Sequence, residues 1–534
     1  MAKLRSRLGA VTATAAISAL TVGGLSSAAL AAVDEPVDAG ITVPKVDGLA
    51  DDFMNGVDAS SILSLEESGV TFKDFEGNEA DVFDVMADAG VNYSRIRVWN
   101  DPFTAEGEGY GGGNVDAERA TEIGLRSTEG GMKVFLDFHY SDFWAHPGQQ
   151  QEPKAWSEMS AAEKADALYD YTYETVSDMK NAGVDIGMVQ IGNETTNLEA
   201  AGESWPASGA LFKAGADAVR DALGDDAKVA IHFTNPERGT YMGYAEKLDK
   251  GPDGNANTGD EIDYDVFASS YYAYWHGTLT NLTSQLSNVA TTYDKDVIVA
   301  ETSWNYTLED GDGHENTIRK STQSDKYSSS VQGQALAVRD VIDAVAKVGD
   351  AGLGVFYWEP AWLPVGTADD VESNKLLWEE FGSGWASSYA GEYSTDAGKN
   401  YGGSAWDNQA MFDFEGNPLE SLRVFDYVKT GSVAPRELDS IQQPAITVTE
   451  GDAITLPRLR GGVLHGRHHG NRDRDLERQG LVDRRTWCLR DQWHDGERLR
   501  HRRDDYRARR LRRGREPRGQ PRLRGRQVPV GDHG

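Results

Sequence analysis

The chain has 534 residues, a formal net charge of −33 and a single cysteine, Cys488. That length suits one large domain plus something smaller, and one cysteine excludes a disulfide scaffold, so a hydrophobic core or a bound metal must hold the fold. The charge is split: residues 458–534 carry 23 Arg, no Lys and 11 acidic residues, a net of +12, which leaves −45 on the rest; that acidity reads as a solvated surface and argues against nucleic acid as a partner.

Residues 1–32 read as a signal peptide. Lys3, Arg5 and Arg7 precede a small, apolar stretch from Ala10 to Leu30, and Ala29-Leu30-Ala31 fits a small-x-small cleavage site. Its Thr, Ser and Gly content is weakly apolar for a spanning helix, and no other stretch is long and apolar enough to span. The expectation is a secreted monomer. Residues 33–50 form a polar leader, expected to be flexible.

Phe53 to Asp58 reads as a first strand, Glu66 to Phe72 as a loop and Ala80 to Ala89 as a helix. Seven further strands are expected at Tyr93–Trp99, Lys133–His139, Ile186–Ile191, Lys228–Phe233, Val266–Tyr271, Val297–Ala300 and Gly352–Tyr357. Amphipathic stretches lie between them, including Ala161–Ala182, Ala207–Ala222, Thr278–Tyr293 and Ser329–Val348. Strands alternating with helices imply a parallel sheet, and eight such units within residues 51–432 suit a (β/α)8 TIM barrel of class α/β. An open doubly wound sheet is the alternative, but its Gly-rich phosphate turn is missing. The Gly-rich Glu106 to Asn114 and the long Ala361 to Asp407 read as irregular loops over the C-terminal face. Asp413 to Val428 reads as the last helix.

Residues 433–457 read as a linker and the start of a small, Ig-like β module, since Ala445 to Asp452 alternates like a strand. The Arg-rich, non-globular tail from Arg458 has no periodicity. Out-of-frame reading of a GC-rich gene explains its Arg, Gly, His and Asp better than a nucleic-acid-binding role.

Two stretches carry the chemistry. Val189-Gln190-Ile191-Gly192-Asn193-Glu194 is an apolar strand that delivers an Asn-Glu pair at its end. Asp296-Val297-Ile298-Val299-Ala300-Glu301 repeats the arrangement. Catalytic residues collect at the C-terminal rim of such a barrel. Two glutamates on one rim suggest glycoside hydrolysis, in which one carboxyl protonates the leaving oxygen and the other attacks the sugar. Trp99, Trp144, Trp275, Trp304, Trp358 and Trp362 fall at or past strand ends, where their faces can stack on pyranose rings.

From about Phe53 to Val428 the chain resembles the glycoside hydrolase family 53 endo-β-1,4-galactanases. The motifs are Tyr93-Ser94-Arg95-Ile96-Arg97-Val98-Trp99-Asn100-Asp101-Pro102, Leu136-Asp137-Phe138-His139-Tyr140-Ser141-Asp142-Phe143-Trp144-Ala145, Ser270-Tyr271-Tyr272-Ala273-Tyr274-Trp275-His276-Gly277 and Tyr357-Trp358-Glu359-Pro360-Ala361-Trp362. His146 departs from the pattern, where Asp is expected. The resemblance implies an endo-acting, retaining enzyme on β-1,4-galactan in type I arabinogalactan, with Glu194 as acid/base and Glu301 as nucleophile. A retaining pair requires carboxyls about 5–5.5 Å apart, a protonated Glu194 and an ionised Glu301. Arg97 is expected to supply a cation to Glu301, with Arg95 on the same side as the alternative. Asn193 can bond the sugar 2-hydroxyl, and Tyr271 or Tyr272 can donate to Glu301. His139, Asp142, Trp144, His276, Trp304, Trp358 and Trp362 are expected against substrate, and Glu359 is a third rim carboxylate. Another β-glycanase of the same clan, a mannanase or xylanase, and a non-catalytic carbohydrate-binding barrel are the competing readings.

Leu308 to Asn316 presents Asp-x-Asp-x-x-x-Asn with interleaved glycines, a way for a loop to wrap a hard cation. Resemblance to bacterial members of the family implies structural Ca2+ on Asp310, Asp312, His314 and Asn316, with Ser404 and Asp407 returning from the eighth-strand loop.

Overall fold

The computed structural model describes residues 35–435 and two short strand segments, Leu438–Ser440 and Val463–Leu464, which pair antiparallel. The signal peptide, the Ala445–Asp452 strand and most of the Arg-rich tail lie outside the described residues.

Eight parallel strands close a barrel: β1 (Met54–Asp58), β2 (Tyr93–Val98), β3 (Lys133–Phe138), β4 (Ile186–Ile191), β5 (Lys228–Phe233), β6 (Val266–Ser270), β7 (Asp296–Thr302) and β8 (Gly352–Tyr357). The near-continuous apolar runs that marked these strands follow from the architecture. A barrel strand is covered by helices outside and by side chains inside, so all six residues of β4 are buried. The floor of the barrel is a plug of Met54, Phe135, Met188, Ala230, Val266, Ile298 and Phe356. The Phe356 ring fills the space a Cβ at Gly56 would occupy, 2.0 Å away, so glycine is required there. Above this apolar floor the inward positions turn polar: Asp58, Arg95, Asp137, Gln190, His232 and Glu301 are all buried.

The outer helices follow their local signals. The helix Ala161–Ala182 starts with a Ser160–Glu163 capping box and stops at Gly183, whose φ of 108° is left-handed. Ala207–Leu223, Leu279–Tyr293 and Val331–Ala346 differ from expectation by one or two terminal residues.

Three expectations are corrected. The leader is not flexible: Val37–Asp38 pairs in parallel with Ser432–Val433, and Ile41, Val43 and Val46 are buried. A short polar stretch hid three apolar anchors that reach the end of the barrel. The segment Ala361 to Asp407 contains the helices Val371–Phe381 and Thr395–Asn400. The last helix is only Val424–Thr430, because Asp413 caps a turn through the backbone N–H groups of Glu415 and Asn417. No helix among the described residues is long and apolar enough to cross a membrane.

Candidate active site

The C-terminal ends of the strands open into a cleft of about 610 Å³ lined by both glutamates, Arg97, Asn193, His139 and His276, with Tyr272, Trp144, Trp275, Trp358, Trp362, Trp385 and Trp406 along its walls. Glu194 follows the end of β4 and holds φ at 45°, a conformation uncommon outside glycine, with Gly192 at 83° just before it. Such strain persists only where the surroundings over-determine it. Here Gln150 Nε2 donates to the Asn193 carbonyl at 2.8 Å, and Thr195 N donates to the His232 carbonyl at 2.8 Å.

Glu301 is 6 % exposed at the end of β7. Tyr272 Oη donates to its Oε2 at 3.0 Å and Arg95 Nη1 lies 3.1 Å from its Oε1. Arg95 also reaches Asp58 at 3.0 Å, Asp137 at 2.8 Å and Asn193 Oδ1 at 2.9 Å. It is therefore Arg95, not Arg97, that faces the expected nucleophile. Two residues further along β2, Arg97 sits one layer higher, donates to Gly112 O, meets Glu359 at 3.3 Å and lies 4.1 Å from the Trp144 ring centroid. It props an aromatic wall. Likewise Tyr272 and not Tyr271 reaches Glu301, because Tyr271 Oη donates to Gly277 O.

Burial raises the carboxyls of both glutamates above the ordinary range, and their mutual repulsion adds to this at Glu301, where Arg95 acts in the opposite direction. Two carboxyls whose charged forms repel each other titrate as a pair, so a proton on one favours ionisation of the other. The negative charge is better held on Glu301, which has a guanidinium and a phenol hydroxyl, than on Glu194, which has Ser270 Oγ 2.6 Å from its Oε1. Burial opposes ionisation of Asp137, yet Arg95 and His139 hold it down at about 2.

Other expected contacts divide. His139 and His276 line the cleft; burial keeps both below the usual imidazole range, to about 4 at His276. Asn193 Oδ1 meets Arg95, Gln190 and His232, while Nδ2 donates to Ala145 O and keeps one N–H without a protein partner among the described residues. Asp142 is not in the cleft: it accepts from the backbone of Asp101 and Lys154 and ties two loops. Trp304 is fully buried, stacked on Tyr274 at 4.4 Å with Nε1 donating to Ser328 O, so it belongs to the core. Glu359 is buried against Arg97 and Ser61, and burial pushes it up to about 8. Trp385 and Trp406 line the cleft but lie in the loop after β8, far in sequence from any strand end, and carried no signal. Asp137, His232 and Ser270 were missed although each sits on a barrel strand near the glutamates.

Asp310, Asp312 and Asp407 bring carboxylate oxygens within 4.8 Å of one another. No lysine or arginine pairs with them among the described residues. Burial, with mutual repulsion, raises Asp312 to about 8 and Asp407 to about 7. Asn316 donates through Nδ2 to Asp407, and its buried Oδ1 has no partner among the described residues. Ser404 contributes its backbone N–H to Asp312 at 2.9 Å. The His314 ring instead packs beside Gly402 and edge-on to Trp378, 6.3 Å between centroids, outside the carboxylate cluster.

The comparisons agree with this geometry. Residues 54–425 match the model of Glycosyl hydrolase family 53. An endo-beta-1,4-galactanase of Bacillus subtilis is 56% identical over 393 residues, covering 73% of this chain and 89% of that protein. An arabinogalactan endo-beta-1,4-galactanase of Cellvibrio japonicus is 31% identical over 332 residues, 59% of this chain and 83% of its own. Among solved structures, the family 53 catalytic domain of Ignisphaera aggregans superposes with a TM-score of 0.64 at 35% identity, covering 73% of this chain and 99% of that one. With eight parallel strands, two rim glutamates and a family match across the whole barrel, the chain belongs to glycosyl hydrolase family 53.

Proposed function

We propose that the chain is an endo-acting galactanase that cleaves β-1,4-galactosidic bonds in galactan and type I arabinogalactan with retention of configuration. The observation that carries the mechanism is the unequal surroundings of two carboxyls in one cleft. Glu301, ionised against Arg95 and Tyr272, attacks the anomeric carbon as Glu194 gives its proton to the leaving oxygen. The resulting glycosyl ester is hydrolysed by water, from which Glu194 now takes a proton. The spare N–H of Asn193 is placed to meet the 2-hydroxyl. A cleft walled by tryptophans suits a chain of pyranoses entering from either side, as internal cleavage needs.

Secretion rests on the signal peptide of residues 1–32, and the enzyme acts as a monomer. The acidic cluster fits structural Ca2+: Asp310, Asp312 and Asp407 would hold it, with the unpartnered Asn316 Oδ1 as a neutral oxygen. The ion would supply charge neutralisation between the β7 and β8 loops and take no part in the bond cleavage.

The test is reducing-end release from β-1,4-galactan, β-mannan and xylan, with Glu301→Gln as control. Release from galactan alone, absent in the control, is expected. Release from mannan or xylan instead would keep the glutamates and replace the substrate; release from none would favour a binding barrel.

A further inference from the structure

His232 carries no role in the reaction as described, yet it is wholly buried on β5 and touches both residues of the Asn193-Glu194 pair. Its Nδ1 lies 2.9 Å from Asn193 Oδ1 and its Nε2 lies 2.9 Å from Ser270 Oγ, which in turn is 2.6 Å from Glu194 Oε1. Burial, with Arg95 nearby, holds the ring well below the usual imidazole range, so it is neutral with a single N–H. Which nitrogen bears that hydrogen decides the direction of every bond in the chain.

Asn193 settles the choice. Its Oδ1 accepts from Arg95 Nη2 at 2.9 Å and from Gln190 Nε2 at 3.2 Å, and its Nδ2 donates to Ala145 O at 2.9 Å. A flipped amide would set N–H groups against a guanidinium and an oxygen against a carbonyl. Oδ1 therefore faces His232, and a bare Nδ1 2.9 Å away would put two acceptors in repulsive contact. The competing donor to Nδ1, the Glu194 backbone N–H, is more distant at 3.4 Å. Nδ1 carries the hydrogen, Nε2 is the acceptor, and among the described residues the only available donor to it is the Ser270 hydroxyl. The lone pairs of Ser270 Oγ then point at Glu194 and accept from its carboxyl proton.

We propose that His232 is a positioning residue which, by fixing the direction of the Ser270 hydroxyl, stabilises the protonated form of Glu194. The polarity is handed on from Arg95 through Asn193, His232 and Ser270, so the guanidinium that favours a charge on Glu301 also favours a proton on Glu194. This rests on the acid/base role given to Glu194 above. The other ionisable groups facing this array are Asp137 from β3 and His139 just after it, Glu301 from β7, Tyr241, Tyr272, and His276, whose ring meets the Ser270 backbone. Among the described residues none of them hydrogen-bonds the Ser270 hydroxyl or an imidazole nitrogen of His232.

The sign of one shift separates the two directions. If Ser270 accepts from protonated Glu194, Ser270→Ala removes a bond to the neutral form, and the alkaline limb of kcat/KM on β-1,4-galactan moves to lower pH, by about one unit. If Ser270 donates to the carboxylate, the limb moves to higher pH. Ser270→Thr, which keeps the hydroxyl, retains the wild-type limb. A second readout needs no turnover: 15N NMR of histidine-labelled enzyme, with the His232 signal identified by its loss in His232→Gln or, should that variant not fold, by the change Ser270→Ala makes at Nε2. Hydrogen on Nδ1 is expected. Hydrogen on Nε2, or an alkaline limb that is unmoved or moves upward in Ser270→Ala, overturns the proposal. Inactivity of the wild type on galactan would instead remove the substrate reading, and the tautomer would still decide this one.

Discussion

At the residue scale, the site is organised by one buried guanidinium. Arg95 satisfies Asp58, Asp137 and Glu301 at once, and a lysine could not reproduce that planar fork. Arg95→Met leaves three buried carboxyls without their cation. Its expected cost is about 3–5 kcal/mol in urea denaturation, with activity lost as well. A pH dependence follows from Asp137. Against the opposing effect of burial, Arg95 and His139 hold it at about 2, below the ordinary aspartate value of 3.8. A depressed carboxyl contributes stability that is fully present above its unfolded value and is lost as pH falls through its folded one. The contribution, about 2 kcal/mol, is thus expected to disappear between roughly pH 4 and pH 2. Urea midpoints measured across that window should fall in the wild type and flatten in Asp137→Asn.

At the element scale, the strands were legible and the side-chain roles were not. Barrel strands are buried on both faces, so Val189-Gln190-Ile191 and its counterparts stand out as apolar runs, and the turn after each marks the rim. What lies two residues apart on one strand is harder. Arg95 and Arg97 share a face, and only the depth of each in the barrel separates the residue that meets Glu301 from the one that props Trp144. Tyr271 and Tyr272 point to opposite sides, and sequence does not say which side is inward. Trp304 looked like a rim residue because it follows β7, yet it turns outward onto Tyr274. Trp406 was unreadable because the long β8 loop folds back to bring it to the cleft. The leader failed for another reason: three buried apolar residues among polar ones make no period. Since Val43 and Val46 are almost fully buried and Val43 exchanges backbone bonds with Ser432, removing residues 33–46 should cost several kcal/mol, at about 1.5–3 kcal/mol for each large apolar side chain. Chemical denaturation of the truncated enzyme checks this, and a loss under 1 kcal/mol would restore the flexible leader.

At the scale of the whole molecule, a barrel without disulfides carries a long β8 loop that must be held over its own cleft. Asp407 in that loop meets Asp310 and Asp312 from the β7 loop, and Trp406 beside it lines the cleft. If Ca2+ joins the two loops, chelation should lower Tm and raise KM for galactan, and added Ca2+ should restore both. The stabilisation should grow with ion concentration as RT ln(1 + [Ca2+]/Kd). In Asp312→Asn, chelation should no longer change Tm; a Tm in the wild type that ignores both chelator and ion would exclude the site.

In the proposed mechanism Glu301 attacks the sugar while Glu194 supplies the proton. This division of roles is tested most directly by time-resolved 1H NMR of β-1,4-galactan during hydrolysis, run beside Glu301→Gln. Two displacements at the anomeric carbon should release reducing ends first as the β anomer, with the α anomer growing in by mutarotation, and the Glu301→Gln variant should release none at a measurable rate. First appearance of the α anomer would mean a single displacement by water, and Glu301 could not be the nucleophile.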